Sequence, residues 1–172
     1  SSGCRDTVQT FLEAYTLPIV NAGRDVVICQ GTGQTISATG AFSYSWSPAT
    51  GLSCTNCASP VATPALVTQY MVTGTSVNGC MNTDTVKVNV AYPFKMKHST
   101  GDTLCIGESA ILSASGAASY TWSPTLSLSS STAATVTAKP ATSTTYMLIG
   151  KDDKGCFKDT AYFPVKVYPI PT

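Results

Sequence analysis

Apolar and polar residues alternate along much of this chain with a spacing of two, and no stretch shows a helical spacing. In Thr85-Val86-Lys87-Val88-Asn89-Val90 the valines fall on one side and the polar residues on the other, as in a strand with one buried face. Thr35-Ile36-Ser37-Ala38-Thr39 has the same form, with Ile36 and Ala38 inward. Further strands are expected over residues 25–29, 42–46, 61–63 and 68–75. Gln30-Gly31-Thr32-Gly33 and Asn78-Gly79 supply turns between them. Pro48 and Pro64 stop the strands they follow, because proline has no N–H to give a ladder. Tyr44 and Trp46 stand two apart and so share a face; burying that pair gives a small module much of its core.

The pattern recurs. Tyr44-Ser45-Trp46-Ser47-Pro48 returns 76 residues later as Tyr120-Thr121-Trp122-Ser123-Pro124. The same offset relates Cys29 to Cys105, Cys80 to Cys156, and Cys4 to Cys80. Gly40, Pro64, Tyr70-Met71 and Gly74 find their counterparts in Gly116, Pro140, Tyr146-Met147 and Gly150. A period that carries cysteines and aromatics together indicates tandem copies of one module. Residues 19–94 and 95–172 read as two copies, each closed by a Tyr-Pro step at Tyr92-Pro93 and Tyr168-Pro169. Residues 1–18 read as the closing strand of a preceding copy, expected to pair with a sheet edge on this or another molecule. Seven short strands per copy, with turns between them, predict an all-β, two-sheet sandwich. The expected core is Tyr44, Trp46 and Tyr70 in the first copy, and Tyr120, Trp122 and Tyr146 in the second.

Composition narrows the function classes. Only 11% of residues are charged and the net charge is +1. No basic patch suggests nucleic acid, and no acidic run suggests a solvating tail. No apolar run reaches the roughly 20 residues that span a bilayer. Seven cysteines favour an oxidising compartment. Cys29 and Cys80, like Cys105 and Cys156, are separated by 51 residues, which suggests one disulfide inside each copy. Loops of that size stabilise by roughly 4 kcal/mol on the entropy model. Cys4 is left without a partner in its own copy. Cys54-Thr55-Asn56-Cys57 is expected to staple a loop, since the second copy has Ser130 and Ala133 in the matching places. A zinc site would need a second Cys or His pair, and none is near in sequence.

Candidate chemistry is sparse. His98 is the only histidine, so no Ser-His-Asp or Cys-His arrangement has a second base to draw on, and catalysis is not expected. Asp152 and Asp153, in a turn, are the best candidates for calcium, which wants six to eight oxygens; no other cofactor is suggested. Phe11, Phe94, Phe157, Tyr162 and Phe163 are the aromatics free to form a sugar platform.

The motif series Ile-Cys-x-Gly, Tyr-x-Trp-Ser-Pro, Thr-x-Tyr-x-Val-x-Gly, Asn-Gly-Cys and Asp-Thr-Val-x-Val resembles the PKD-like, immunoglobulin-like repeats of Bacteroidota cell-surface proteins, above all the long gliding-motility-type adhesins exported by type IX secretion. The resemblance covers nearly the whole chain. It implies a non-catalytic structural segment of an extracellular adhesin or surface fibre, with neighbouring repeats or identical chains as partners and surface polysaccharide as a possible target. The alternative is a carbohydrate-binding or linker module attached to a secreted polysaccharide-degrading enzyme. Asp6-Thr7-Val8, Asp84-Thr85-Val86, Asp102-Thr103-Leu104 and Asp159-Thr160-Ala161 resemble the O-glycosylation acceptor motif of that phylum, which makes Thr7, Thr85, Thr103 and Thr160 candidate acceptors.

Overall fold

The computed structural model describes residues 12–170. Among them are thirteen β-strands and no helix. The chain divides into two compact units: residues up to Val26 with Gly33–Val88, and Val27–Thr32 with the chain from Asn89 onward.

In the first part of the chain the strands are β1 (Val26–Cys29), β2 (Gln34–Thr35), β3 (Ser43–Ser47), β4 (Val61–Ala62), β5 (Thr68–Thr75) and β6 (Met81–Ala91). One sheet has the order β1-β6-β5-β3, and β2 pairs with β4 in a second. Backbone bonds from Ile36 N to Pro60 O and from Ala38 N to Ala58 O prolong that second ladder. Strand alternation sends Ile36, Ala38, Trp46, Tyr70, Val72, Val86 and Val88 into the interior.

The second part contains β7 (Lys97–His98), β8 (Asp102–Cys105), β9 (Ala110–Ser115), β10 (Ser119–Ser123), β11 (Thr135–Ala138), β12 (Thr144–Lys151) and β13 (Lys158–Tyr168). Its sheets have the orders β10-β12-β13-β8 and β11-β9-β7. Alternate strands therefore go to opposite sheets, and β8 crosses over to run parallel to β13. With a buried tryptophan on the central strand β10, this is an immunoglobulin-like β-sandwich. Trp122 packs against Phe163, ring centroids 4.8 Å apart. Leu112, Val136, Tyr146, Leu148 and Val165 complete the core around them.

Two details differ from the sequence reading. The period holds at 76 as far as β12, but Tyr70 lies opposite Val86 whereas Tyr146 lies opposite Phe163. The loop 152–157 is one residue longer than its counterpart 76–80. Asp84 consequently faces Val72, while Asp159 faces Gly150, so the two Asp-Thr motifs sit two residues apart in register. A shift of two preserves the face, and Val86 and Ala161 are both buried. The second difference concerns Tyr44 and Tyr120, which are half-buried. They share the tryptophan's face but lie near the strand's start. The Tyr44 hydroxyl accepts from Ala41 N (3.1 Å) and donates to Ala41 O (3.0 Å), and the Tyr120 hydroxyl accepts from Ala117 N (3.2 Å). They brace a turn instead of filling the interior.

Candidate functional site

The cysteines define the most distinctive chemistry, and their pairing departs from the spacing argument. Cys29 is bonded to Cys156, with Cα atoms 5.4 Å apart and 127 residues between them. Cys54 is bonded to Cys57. Cys80 and Cys105 are free thiols. The expected Cys29–Cys80 and Cys105–Cys156 bonds are therefore not formed, and strand direction explains why. Tyr168, at the end of β13, pairs with Cys105, whereas Cys156 precedes the start of that strand. Eleven strand residues at about 3.3 Å each place the two sulfurs at opposite ends of the sheet, far beyond the roughly 7 Å a disulfide tolerates. The first copy repeats this. Asp25 accepts from Lys87 N and Gln30 N donates to Ala91 O, so β1 runs alongside β6 in the same direction, away from Cys80. Residues Val27–Thr32, which carry Cys29, cluster with the unit that contains Cys156. Cys4 lies outside the described residues.

The Cys54–Cys57 clip shapes the loop beside Trp46. Trp46 Nε1 donates to Cys57 O at 2.9 Å, and Trp46 N donates to Thr55 O at 2.7 Å. In the second copy Trp122 Nε1 donates to Ala133 O at 2.8 Å, and Ser130 Oγ takes the clip's place by accepting from the backbone N–H groups of Thr132 and Ala133. Trp46, Tyr70, Trp122 and Tyr146 are all buried. Tyr70 adds a bond from its hydroxyl to Thr50 O at 2.8 Å.

The remaining candidates do not converge on one place. Asp152 Oδ1 accepts from Phe157 N at 3.1 Å, and Asp153 pairs with Lys154 at 3.0 Å. Among the described residues no group of three His, Cys, Asp or Glu side chains gathers to hold a metal. The aromatic set divides: Phe163 is core, Phe94 packs against that core, Tyr162 is 61% exposed, and Phe11 lies outside the described residues. His98 is exposed on one side and sets its ring edge-on to Phe163, centroids 5.3 Å apart. Thr85, Thr103 and Thr160 are exposed, each followed by a buried Val86, Leu104 or Ala161. Asp84 and Asp102 each accept a bond from the N–H of the threonine that follows. Thr7 lies outside the described residues.

One electrostatic feature was not legible in the sequence. The Asp159 carboxylate accepts from Met96 N at 2.8 Å and from Lys95 Nζ at 3.1 Å. Those two donors hold its pKa below the ordinary carboxylate value.

No protein-family model and no curated protein matches the sequence. Among solved structures, the two-domain DIP-gamma IG1+IG2 is similar over 88% of this chain and 98% of its own, at 11% identity and TM-score 0.49. The N-terminal four Ig domains of Dscam1 isoform 6.9 match over 91% of this chain and 48% of theirs, at 9% identity and TM-score 0.46. The insect immune protein hemolin matches over 90% of this chain and 46% of its own, at 12% identity and TM-score 0.42.

Proposed function

We propose that this chain is a segment of a long extracellular repeat protein, a non-catalytic stalk or fibre that holds an adhesive region away from the cell. The supporting observation is the recurrence of one sheet plan on the sequence period. The order β1-β6-β5-β3 in the first copy answers to β8-β13-β12-β10 in the second, and a buried tryptophan stands on the matching strand of each. Repeating a scaffold without repeating a reactive group makes length, and stacked modules of this kind give extended, stiff proteins. Two disulfides fit an oxidising, extracellular setting. Residues 19–94 and 95–172 are then the repeats, and a Bacteroidota adhesin exported by type IX secretion and serving adhesion or gliding is the parent. Partners are neighbouring repeats or identical chains.

Antibodies raised against this chain are expected to label intact cells of the source organism, and deletion of the gene is expected to reduce attachment. Labelling that requires permeabilised cells would remove the proposal. The exposed Thr85, Thr103 and Thr160, together with Thr7, are the proposed O-glycan acceptors. Intact-mass analysis of native protein decides this, and unmodified peptide mass at all four threonines ends it.

A further inference from the structure

The bonded and free cysteines are related by the sequence period. Cys29 and Cys105 are 76 residues apart, as are Cys80 and Cys156. The bonded pair therefore joins one cysteine of each kind across consecutive periods, and the free thiols are again one of each kind.

Their surroundings match as well. Cys29 ends β1 and Cys105 ends β8. Each carbonyl accepts from a residue three positions on, Thr32 N at 2.9 Å and Glu108 N at 3.1 Å. The next residue along is tied to the end of the closing strand, Gln30 N to Ala91 O and Ile106 N to Tyr168 O, both at 2.9 Å. Cys80 and Cys156 both follow a glycine of positive φ in the hairpin turn before the closing strand, Gly79 at 81° and Gly155 at 72°. Ala91, the residue tied to the neighbour of Cys29, is one period after Tyr15, and the Tyr15 carbonyl lies 3.9 Å from Cys80 Sγ. Cys80 is thus bordered by the same stretch of the repeat that borders the Cys29–Cys156 bond. A Cβ placed on Gly79 or Gly107 would meet nothing within 4 Å, so both turns are open to an incoming chain.

We propose that Cys105 and Cys80 are complementary half-sites of a disulfide between copies of this unit, with Cys105 of one copy bonding Cys80 of a second copy in head-to-tail order. The bond forms by exchange with a small-molecule disulfide such as oxidised glutathione. The Cys105 thiolate displaces one glutathione thiolate and leaves a mixed disulfide. The Cys80 thiolate of the second copy then attacks the protein sulfur and displaces the other glutathione. The two thiol protons and two electrons end on two molecules of glutathione. The proposal rests on the repeat reading above. It fails separately from that reading, because surface labelling of cells does not depend on which sulfurs are joined.

The test uses the full chain with Cys4→Ser throughout, so that the sequence-equivalent of Cys80 does not compete. Cys80→Ser and Cys105→Ser chains are oxidised in a glutathione buffer, each alone and then mixed, with Cys29–Cys156 and Cys54–Cys57 verified by peptide mapping. Mixing is expected to yield a covalent dimer at least tenfold more abundant than either chain forms alone, mapped to Cys105–Cys80. The chain that keeps both thiols is expected to form a ladder of oligomers. Only monomer in the mixture, or dimers equally abundant in the unmixed samples, would overturn the proposal.

Discussion

The indole N–H of Trp46 reaches the backbone carbonyl of Cys57 at 2.9 Å, so the tryptophan of the central strand is also the anchor of the loop beyond it. Trp122 holds Ala133 in the same way at 2.8 Å. One side chain fills the core and fixes the loop that crosses its edge, which ties loop position to core packing. Replacing either tryptophan by phenylalanine keeps most of the apolar volume but strands the carbonyl. The expected loss is about 1–3 kcal/mol per site, and about 3–5 kcal/mol for alanine, read as a shift in the urea midpoint.

The clip at Cys54 and Cys57 is a local reinforcement. Ser130 does the same work in the second copy by accepting two backbone N–H groups. The double variant Cys54→Ser with Cys57→Ala, which copies that arrangement, is expected to fold and to lose at most about 2 kcal/mol, the entropic value of so short a loop. Thermal melts with and without reductant give the comparison. Collapse of the sandwich in the variant would show that the clip is a structural necessity.

Ser127 has a φ of 67°, in the left-handed region that L side chains rarely adopt, and its counterpart one period earlier is Gly51 at 76°. A Cβ at Gly51 would lie 2.9 Å from Pro64 Cα and 3.1 Å from the Tyr70 hydroxyl. Ser127→Gly is expected to stabilise by about 0.5–1 kcal/mol as the left-handed strain is relieved. Gly51→Ala is expected to destabilise by about 1–3 kcal/mol through backbone strain and crowding. Opposite signs at equivalent positions, measured by chemical denaturation, are the diagnostic result.

Asp159 gives the fold a defined acid sensitivity. Its pKa is lowered in the folded protein by the Met96 N–H and by Lys95. Its contribution is therefore complete above the unfolded carboxylate value, roughly pH 4, and is lost as pH falls through the lowered value. Asp159→Asn is expected to be less stable than the parent at pH 7 and to approach it on acidification. A difference between the two that stays constant from pH 7 to pH 2 contradicts this.

How far the sequence carried is clearest at three places. Thr85-Val86-Lys87-Val88 declares a strand with one buried face, because side chains alternate in any strand whatever it pairs with. The recurrence of Tyr-x-Trp-Ser-Pro declares a repeated unit, because an aromatic pair copied in phase has a repeated environment to fill. Tyr44 and Tyr120 mark where this stops. Alternation sets the face but not how deep along the strand a side chain sits, and both tyrosines ended at a turn.

By itself, then, the sequence determined the strands, their buried faces and the period, all of which follow from spacing within a few residues. The cysteine pairing was decided by tertiary structure alone. Equal spacing between Cys29 and Cys80 and between Cys105 and Cys156 says nothing about strand direction. Because β8 runs parallel to β13, and β1 likewise runs with β6, each opening strand delivers its cysteine to the end of the sheet opposite the hairpin. An antiparallel opening strand would have brought those sulfurs to the same end. The direction of one short edge strand, fixed by long-range pairing, converted an expected staple within each copy into a link from one period to the next.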